Sequence, residues 1–171
     1  MKKGKENMKK IFLFIVIFLF SLSACNKDHN IKDDQKFTSF KQSKHNDIPD
    51  HFKDKTIQFE MKIEPASFDK RTKHIPLVIR NNGDSILYGT PYELEVFQED
   101  KWRKIPFQDN IAFTMIGIIL DKGKTDNSEI GLDTDNLKYN VHPGYYRIVK
   151  EFSIGNGTGE KIKLSSIFQL K

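Results

Sequence analysis

The sequence predicts an all-β chain folded as an antiparallel β-sandwich, and three observations predict it. Apolar residues recur at every second position in several short segments. Clusters of Gly, Asn, Asp and Pro separate those segments roughly every 8–12 residues, the spacing of sandwich strands. Almost nowhere does the chain carry the 3.6-residue period of a helix. There is one cysteine, so no disulfide can join the two sheets and side-chain packing must hold them.

The clearest strands come first. In Thr56-Ile57-Gln58-Phe59-Glu60-Met61-Lys62-Ile63 the apolar residues alternate for eight positions, placing Ile57, Phe59, Met61 and Ile63 on an inner face. His74 to Asn81 repeats this with Ile75, Leu77 and Ile79; Pro76 removes one ladder donor and belongs near the strand start or at a bulge. Asn81-Asn82-Gly83-Asp84-Ser85 is a dense turn signal, followed by a short strand at Ile86-Leu87-Tyr88. Tyr92 to Phe97 and Lys101 to Ile105 flank Gln98-Glu99-Asp100 and read as a hairpin.

Ile111 to Leu120 is rich in apolar residues, and its period leaves a buried strand, a strand plus turn, or a helix all open; its β-branched residues and Gly117 favour extended structure. Asn127 to Leu132 alternates weakly. Tyr145 to Phe152 puts Tyr146, Ile148 and Lys150 on one face, with Tyr145, Arg147, Val149 and Glu151 on the other. Lys161 to Leu170 closes the set with Ile162, Leu164 and Phe168 in register. Gly155 to Gly159 joins two strands with no helix to aim amides at a phosphate, so it reads as a hairpin loop.

Ahead of the sandwich lies a different kind of sequence. Lys9-Lys10 leads into an unbroken apolar run from Ile11 to Phe20, then Ser21-Leu22-Ser23-Ala24-Cys25. A basic start, a short apolar stretch and small residues before a cleavage point form a secretory signal peptide over residues 1–24. The run is too short to span about 30 Å of hydrocarbon. With Cys25 directly after Leu-Ser-Ala, cleavage between Ala24 and Cys25 and diacylglyceryl attachment to the Cys25 thiol are expected. Two acyl chains anchor durably where one is marginal. Either Met1 or Met8 serves as a start. Residues 25–55 then read as a lipidated cysteine and a disordered tether, with seven lysines, six aspartates and few apolar residues. The sandwich is expected over 56–171.

Charge excludes one class of partner. The formal charge is +5, but five of the 28 basic residues and one of the 23 acidic ones fall in residues 1–24. The chain from Cys25 onward is nearly neutral, which argues against nucleic acid.

The residues Val78 to Asn82, Tyr88-Gly89, Tyr92 to Glu95, Lys101 to Pro106, Phe113, Leu120 with Gly123, and Pro143 to Lys150 carry a resemblance. From Thr56 to about Phe168 the chain resembles the bacterial immunoglobulin-like domain of small Gram-positive, bacillus-type lipoproteins and related surface proteins. The resemblance implies an immunoglobulin-like sandwich in a cell-surface setting, and supplies no catalytic residues. Pro143-Gly144-Tyr145-Tyr146 looks like a tyrosine corner, in which a hydroxyl bonds back to nearby backbone; alternation with Ile148 favours Tyr146 over Tyr145.

No catalytic constellation is legible. With the thiol of Cys25 consumed, His74 and His142 are the histidines of the sandwich, and no spacing ties His142 to Asp133 or Asp135 as an acid–base pair. His29, His45 and His51 are irregularly spaced and lack cysteine neighbours, so no metal or cofactor is expected. The reading is a non-enzymatic interaction module at the outer face of the cytoplasmic membrane with a protein or cell-envelope partner; the alternative is an accessory or structural envelope protein. The candidate binding surface is Tyr88, Tyr92, Trp102 and Arg103, since exposed aromatics beside arginine are enriched at binding sites.

Overall fold

The computed structural model describes residues 40–44, 47–133, 135–155, 157 and 159–171, all within the compact unit Phe40–Lys171. The expected signal peptide, its Ala24-Cys25 junction and residues 26–39 of the expected tether lie outside the described residues. In chain order the strands are β1 His51–Asp54, β2 Ile57–Lys62, β3 Ser67–Phe68, β4 His74–Asn81, β5 Ile86–Gly89 and β6 Glu93–Gln98. They continue with β7 Lys101–Ile105, β8 Gly117–Leu120, β9 Lys124–Gly131, β10 Gly144–Ile154 and β11 Lys161–Leu170.

These strands make two sheets. The first runs β1-β2-β4-β9, antiparallel throughout. The second runs β3-β11-β10-β5-β8, with β6 also on β10 and β7 on β6. β5 and β6 share one edge of β10: β5 pairs with Phe152 to Ile154, and β6 with Tyr146 to Val149. The pairing of β3 with β11 is parallel; the rest of this sheet is antiparallel. The result is an all-β immunoglobulin-like sandwich without a disulfide.

The alternation read from the sequence is what fills the core. Phe59, Met61, Ile63, Ile75, Leu77 and Ile79 are buried from the first sheet, against Ile86, Leu94, Tyr146, Ile148, Phe152, Leu164 and Phe168 from the second. The Phe59 and Phe152 rings meet between the layers, with centroids 5.1 Å apart. Polar groups stitch the layers too. Asn81 of β4 is fully buried and donates from Nδ2 to the Leu120 carbonyl of β8 at 2.8 Å. The Ile63 N–H donates to Ser166 Oγ at 2.9 Å.

Local chemistry explains the boundaries. Opposite Pro76 only β9 is present, because β2 pairs with β4 from Val78 onward, so the missing donor interrupts no second ladder. The β6–β7 turn holds Glu99 and Asp100 at φ 51° and 58°, the left-handed pair of a two-residue hairpin turn. At Gly83 the turn after β4 presses on β2: a Cβ there would lie 2.2 Å from the Gln58 nitrogen and 2.4 Å from the Thr56 oxygen. Only glycine fits that approach. The ambiguous run Ile111 to Leu120 resolves into irregular backbone followed by β8.

One expectation is corrected. Part of the segment read as tether is built into the sandwich. His51–Asp54 forms β1 on the edge of β2, and Phe52 packs on Phe59 at 5.8 Å. Upstream, Gln42 bridges Arg103, the Ser43 N–H donates to the Trp102 carbonyl at 2.9 Å, and the Lys104 N–H donates to the Lys41 carbonyl at 3.0 Å. Ser165 donates from its N–H to the Pro49 carbonyl and from its hydroxyl to the Ile48 carbonyl. This arm is polar because it is recruited through backbone groups left open on strand edges, and a few aromatic contacts suffice to seat it.

Candidate interaction surface

The four residues expected to form a binding surface do not come together, and two of them are core. Tyr88 is 4% exposed and points between the sheets, its ring 5.3 Å from Phe152. Its hydroxyl donates to Asp126 Oδ2 at 2.8 Å, and burial together with that bond pushes the phenol far above its ordinary range. Beneath it Lys150 is buried, with Nζ donating to the carbonyls of Gly89, Thr90 and Pro91 at 2.9, 3.3 and 3.0 Å. Burial pushes the Lys150 ammonium down to about 8, with Asp126 opposing the shift.

Tyr92 belongs to a separate cluster. Its ring stands edge-on to Phe107 and Phe113, each at 5.3 Å, and its hydroxyl donates to the Gly131 carbonyl at 3.1 Å. Burial raises this phenol to about 12. Trp102 is 8% exposed, packed on Phe97 at 5.1 Å and covered by the Arg147 guanidinium 4.4 Å from the ring centroid. Arg103 turns to the hairpin and donates from Nη2 to Glu99 Oε2 at 2.7 Å. The expected exposed aromatic and basic surface at Tyr88, Tyr92, Trp102 and Arg103 is therefore corrected. These aromatics spend their polar tips and faces inside the domain, because parts of the second sheet are covered on both sides.

The reason is a cluster that alternation hides. Arg147 and Glu95 both lie on the outer face of the second sheet, yet they are 1% and 0% exposed. Arg147 donates from Nε to Glu95 Oε2 at 2.7 Å, and its Nη2 lies 3.3 Å from Ser43 Oγ of the arm. Trp102 and the arm thus roof an ion pair that period-two reading assigns to solvent. No spacing between residues 95 and 147 announces it; only the register Arg147↔Glu95 across β10 and β6 does.

The proposed tyrosine corner falls on Tyr146, whose hydroxyl donates to the His142 carbonyl at 2.7 Å and accepts the His142 N–H at 2.9 Å. The His142 ring lies edge-on to Tyr139 at 5.5 Å. Among the described residues no three His, Cys, Asp or Glu side chains are grouped to hold a metal ion.

The surface offers two other features. An open groove of about 460 Å³ runs between β2, β11 and the arm, lined by Ile48, Asp50, Lys62, Glu64, Ser165 and Ile167 among others. On the opposite edge of the second sheet stand Met115, Ile116 and Ile119, which are 94%, 61% and 55% exposed.

Fold, register and the Tyr146 corner define an immunoglobulin-like sandwich module. Residues 55–169 match the family described as bacterial Ig-like domain, and the chain belongs to that family. The match begins after β1, so the arm at residues 40–54 precedes the part that the family describes. No curated protein matches the chain.

Proposed function

We propose that this chain is a lipid-anchored extracytoplasmic protein that presents its Ig-like domain as a non-catalytic interaction module at the outer face of the cytoplasmic membrane. The anchoring rests on one observation: the chain's lone cysteine follows a basic, apolar and small-residue run that ends in Leu22-Ser23-Ala24. Membership of the bacterial Ig-like family supports a surface-associated binding or structural role. The non-catalytic reading is supported by the use of four titratable groups of the sandwich, since Lys150, Tyr88, Tyr92 and Tyr146 spend their polar atoms on internal hydrogen bonds.

Mass spectrometry of the mature N-terminus from intact cells tests the reading. A diacylglyceryl-modified Cys25 as first residue, with Cys25→Ser lost from the membrane fraction, is the expected result. A free thiol at Cys25, or normal membrane retention of Cys25→Ser, would refute it.

A further inference from the structure

We propose that the edge carrying Met115, Ile116 and Ile119 rests on the lipid bilayer and fixes how the domain stands on its anchor. The proposal rests on lipid attachment at Cys25. The segment Ile111 to Leu120 holds ten consecutive uncharged residues. It is not loose: Phe113 packs on Phe107 at 5.0 Å, and the Thr90 hydroxyl donates to the Thr114 carbonyl at 2.6 Å. The residues just beyond these contacts are thereby held outward, apolar and bare. Ile119 continues the patch onto β8, which pairs only with β5 among the described residues and so forms an edge of its sheet.

The way the chain enters the domain selects the lipid surface as occupant. Phe40 packs edge-on against Tyr139 at 5.5 Å, and the arm joins the outer edge of β7. β7 and β8 lie on the same side of β10, away from β11. Leu137, two residues from Tyr139, bridges Phe107, which holds Phe113. The described chain therefore begins, at Phe40, on the same side of β10 as the segment that displays Met115 and Ile116. Fifteen residue steps separate Cys25 from Phe40. Any chain of that length spans at most on the order of 50 Å, and a random coil of the same length about 20 Å. Confinement that close to the bilayer gives a weak apolar contact a high effective concentration.

The contact must be shallow. An open sheet edge cannot enter hydrocarbon, because its N–H and C=O groups would lose water. Side chains of Met115 and Ile116 can reach the acyl boundary while the backbone of β8 stays among the headgroups, the depth at which interfacial segments sit.

Hydrogen-exchange mass spectrometry decides it, using the chain on vesicles of equal parts phosphatidylglycerol and phosphatidylethanolamine. The natively lipidated chain is reconstituted directly. Should Cys25 prove to carry a free thiol, the anchoring reading fails by itself, and the same chain is coupled through Cys25 to a maleimide lipid so that the edge is still tested. The expected result is exchange roughly threefold or more slower at residues 113–119 than in the free Cys25→Ser chain, with Lys124–Gly131 unchanged. A chain carrying Met115→Ser and Ile116→Ser should lose that protection while remaining on the vesicles. Equal exchange of the wild-type segment with and without vesicles overturns the proposal. So does protection seen in intact cells but not on vesicles, which would give the edge to a protein.

Discussion

The Arg147 guanidinium holds the Glu95 carboxylate from an adjacent strand, with Nη2 and Nε 2.6 and 2.7 Å from the same Oε2 atom, where neither side chain meets solvent. A buried pair of this kind is costly to split, because the surviving charge has no water to turn to. Glu95→Leu or Arg147→Met alone is expected to destabilise the domain by about 3–5 kcal/mol. Glu95→Leu with Arg147→Met should cost far less than the sum of the single changes. Urea unfolding followed by circular dichroism gives all the values; additive losses would mean that the two side chains are not coupled.

Tyr145 and Tyr146 are neighbours with opposite fates. Tyr145 is half exposed, whereas the Tyr146 hydroxyl both donates to and accepts from the His142 backbone. Tyr146→Phe strands a partly buried carbonyl and N–H of His142 and should cost about 1–3 kcal/mol. Tyr145→Phe should stay within about 0.5 kcal/mol. Thermal unfolding of both variants checks the difference, and equal losses would remove the corner as a stabilising device.

Stability should rise with pH on the alkaline side, because of Lys150. Folded, its ammonium titrates at about 8; unfolded, near the ordinary 10.5. Between those values the unfolded chain holds more protons, so raising the pH favours the folded state. The three carbonyls around Nζ favour the charged form and moderate the effect, leaving about 1–3 kcal/mol. Above pH 10 the sign reverses: Tyr88, Tyr92 and Tyr146 are raised in the fold, and the unfolded chain loses those protons first. Denaturation midpoints should climb from pH 8 toward pH 10 and then fall. In Lys150→Met the climb should vanish; its persistence would place the titrating group elsewhere.

The strands with one dry and one wet face were legible because alternation reports that asymmetry directly. His74–Asn81 and the inward set Ile75, Leu77 and Ile79 are recovered residue for residue. Where both faces are covered the signal fails. Arg147, Glu95 and Trp102 sit on an outer face that the arm roofs, so charge was read as exposure and an aromatic beside arginine as a recognition surface. The arm escaped notice for a related reason. It is held by carbonyls such as those of Lys41, Ile48 and Pro49, and backbone hydrogen bonds leave no trace in side-chain pattern. Exposure of the uncharged run at residues 115–119 was equally hidden, since a ten-residue apolar stretch signals burial to any periodicity argument.

The arm yields the most direct test of where the domain begins. A chain cut to start at residue 55, where the family match begins, would lose β1, Ser43 beside Arg147, and the Phe40 contact to Tyr139. It would also strip partners from the N–H groups of Met61, Lys104 and Ser165, which donate to carbonyls of Asp50, Lys41 and Pro49. At about 1 kcal/mol per lost internal hydrogen bond, plus the apolar area of Phe40 and Phe52, the loss is on the order of 3 kcal/mol or more. Trp102 is the chain's only tryptophan and its carbonyl accepts the Ser43 N–H of the arm, so its emission should shift to longer wavelength in the shortened chain, while a chain starting at residue 40 should match the parent in both emission and stability. Identical emission and midpoint for the two truncations would mean that the arm only rests on the sandwich, and that the domain begins where the family boundary places it.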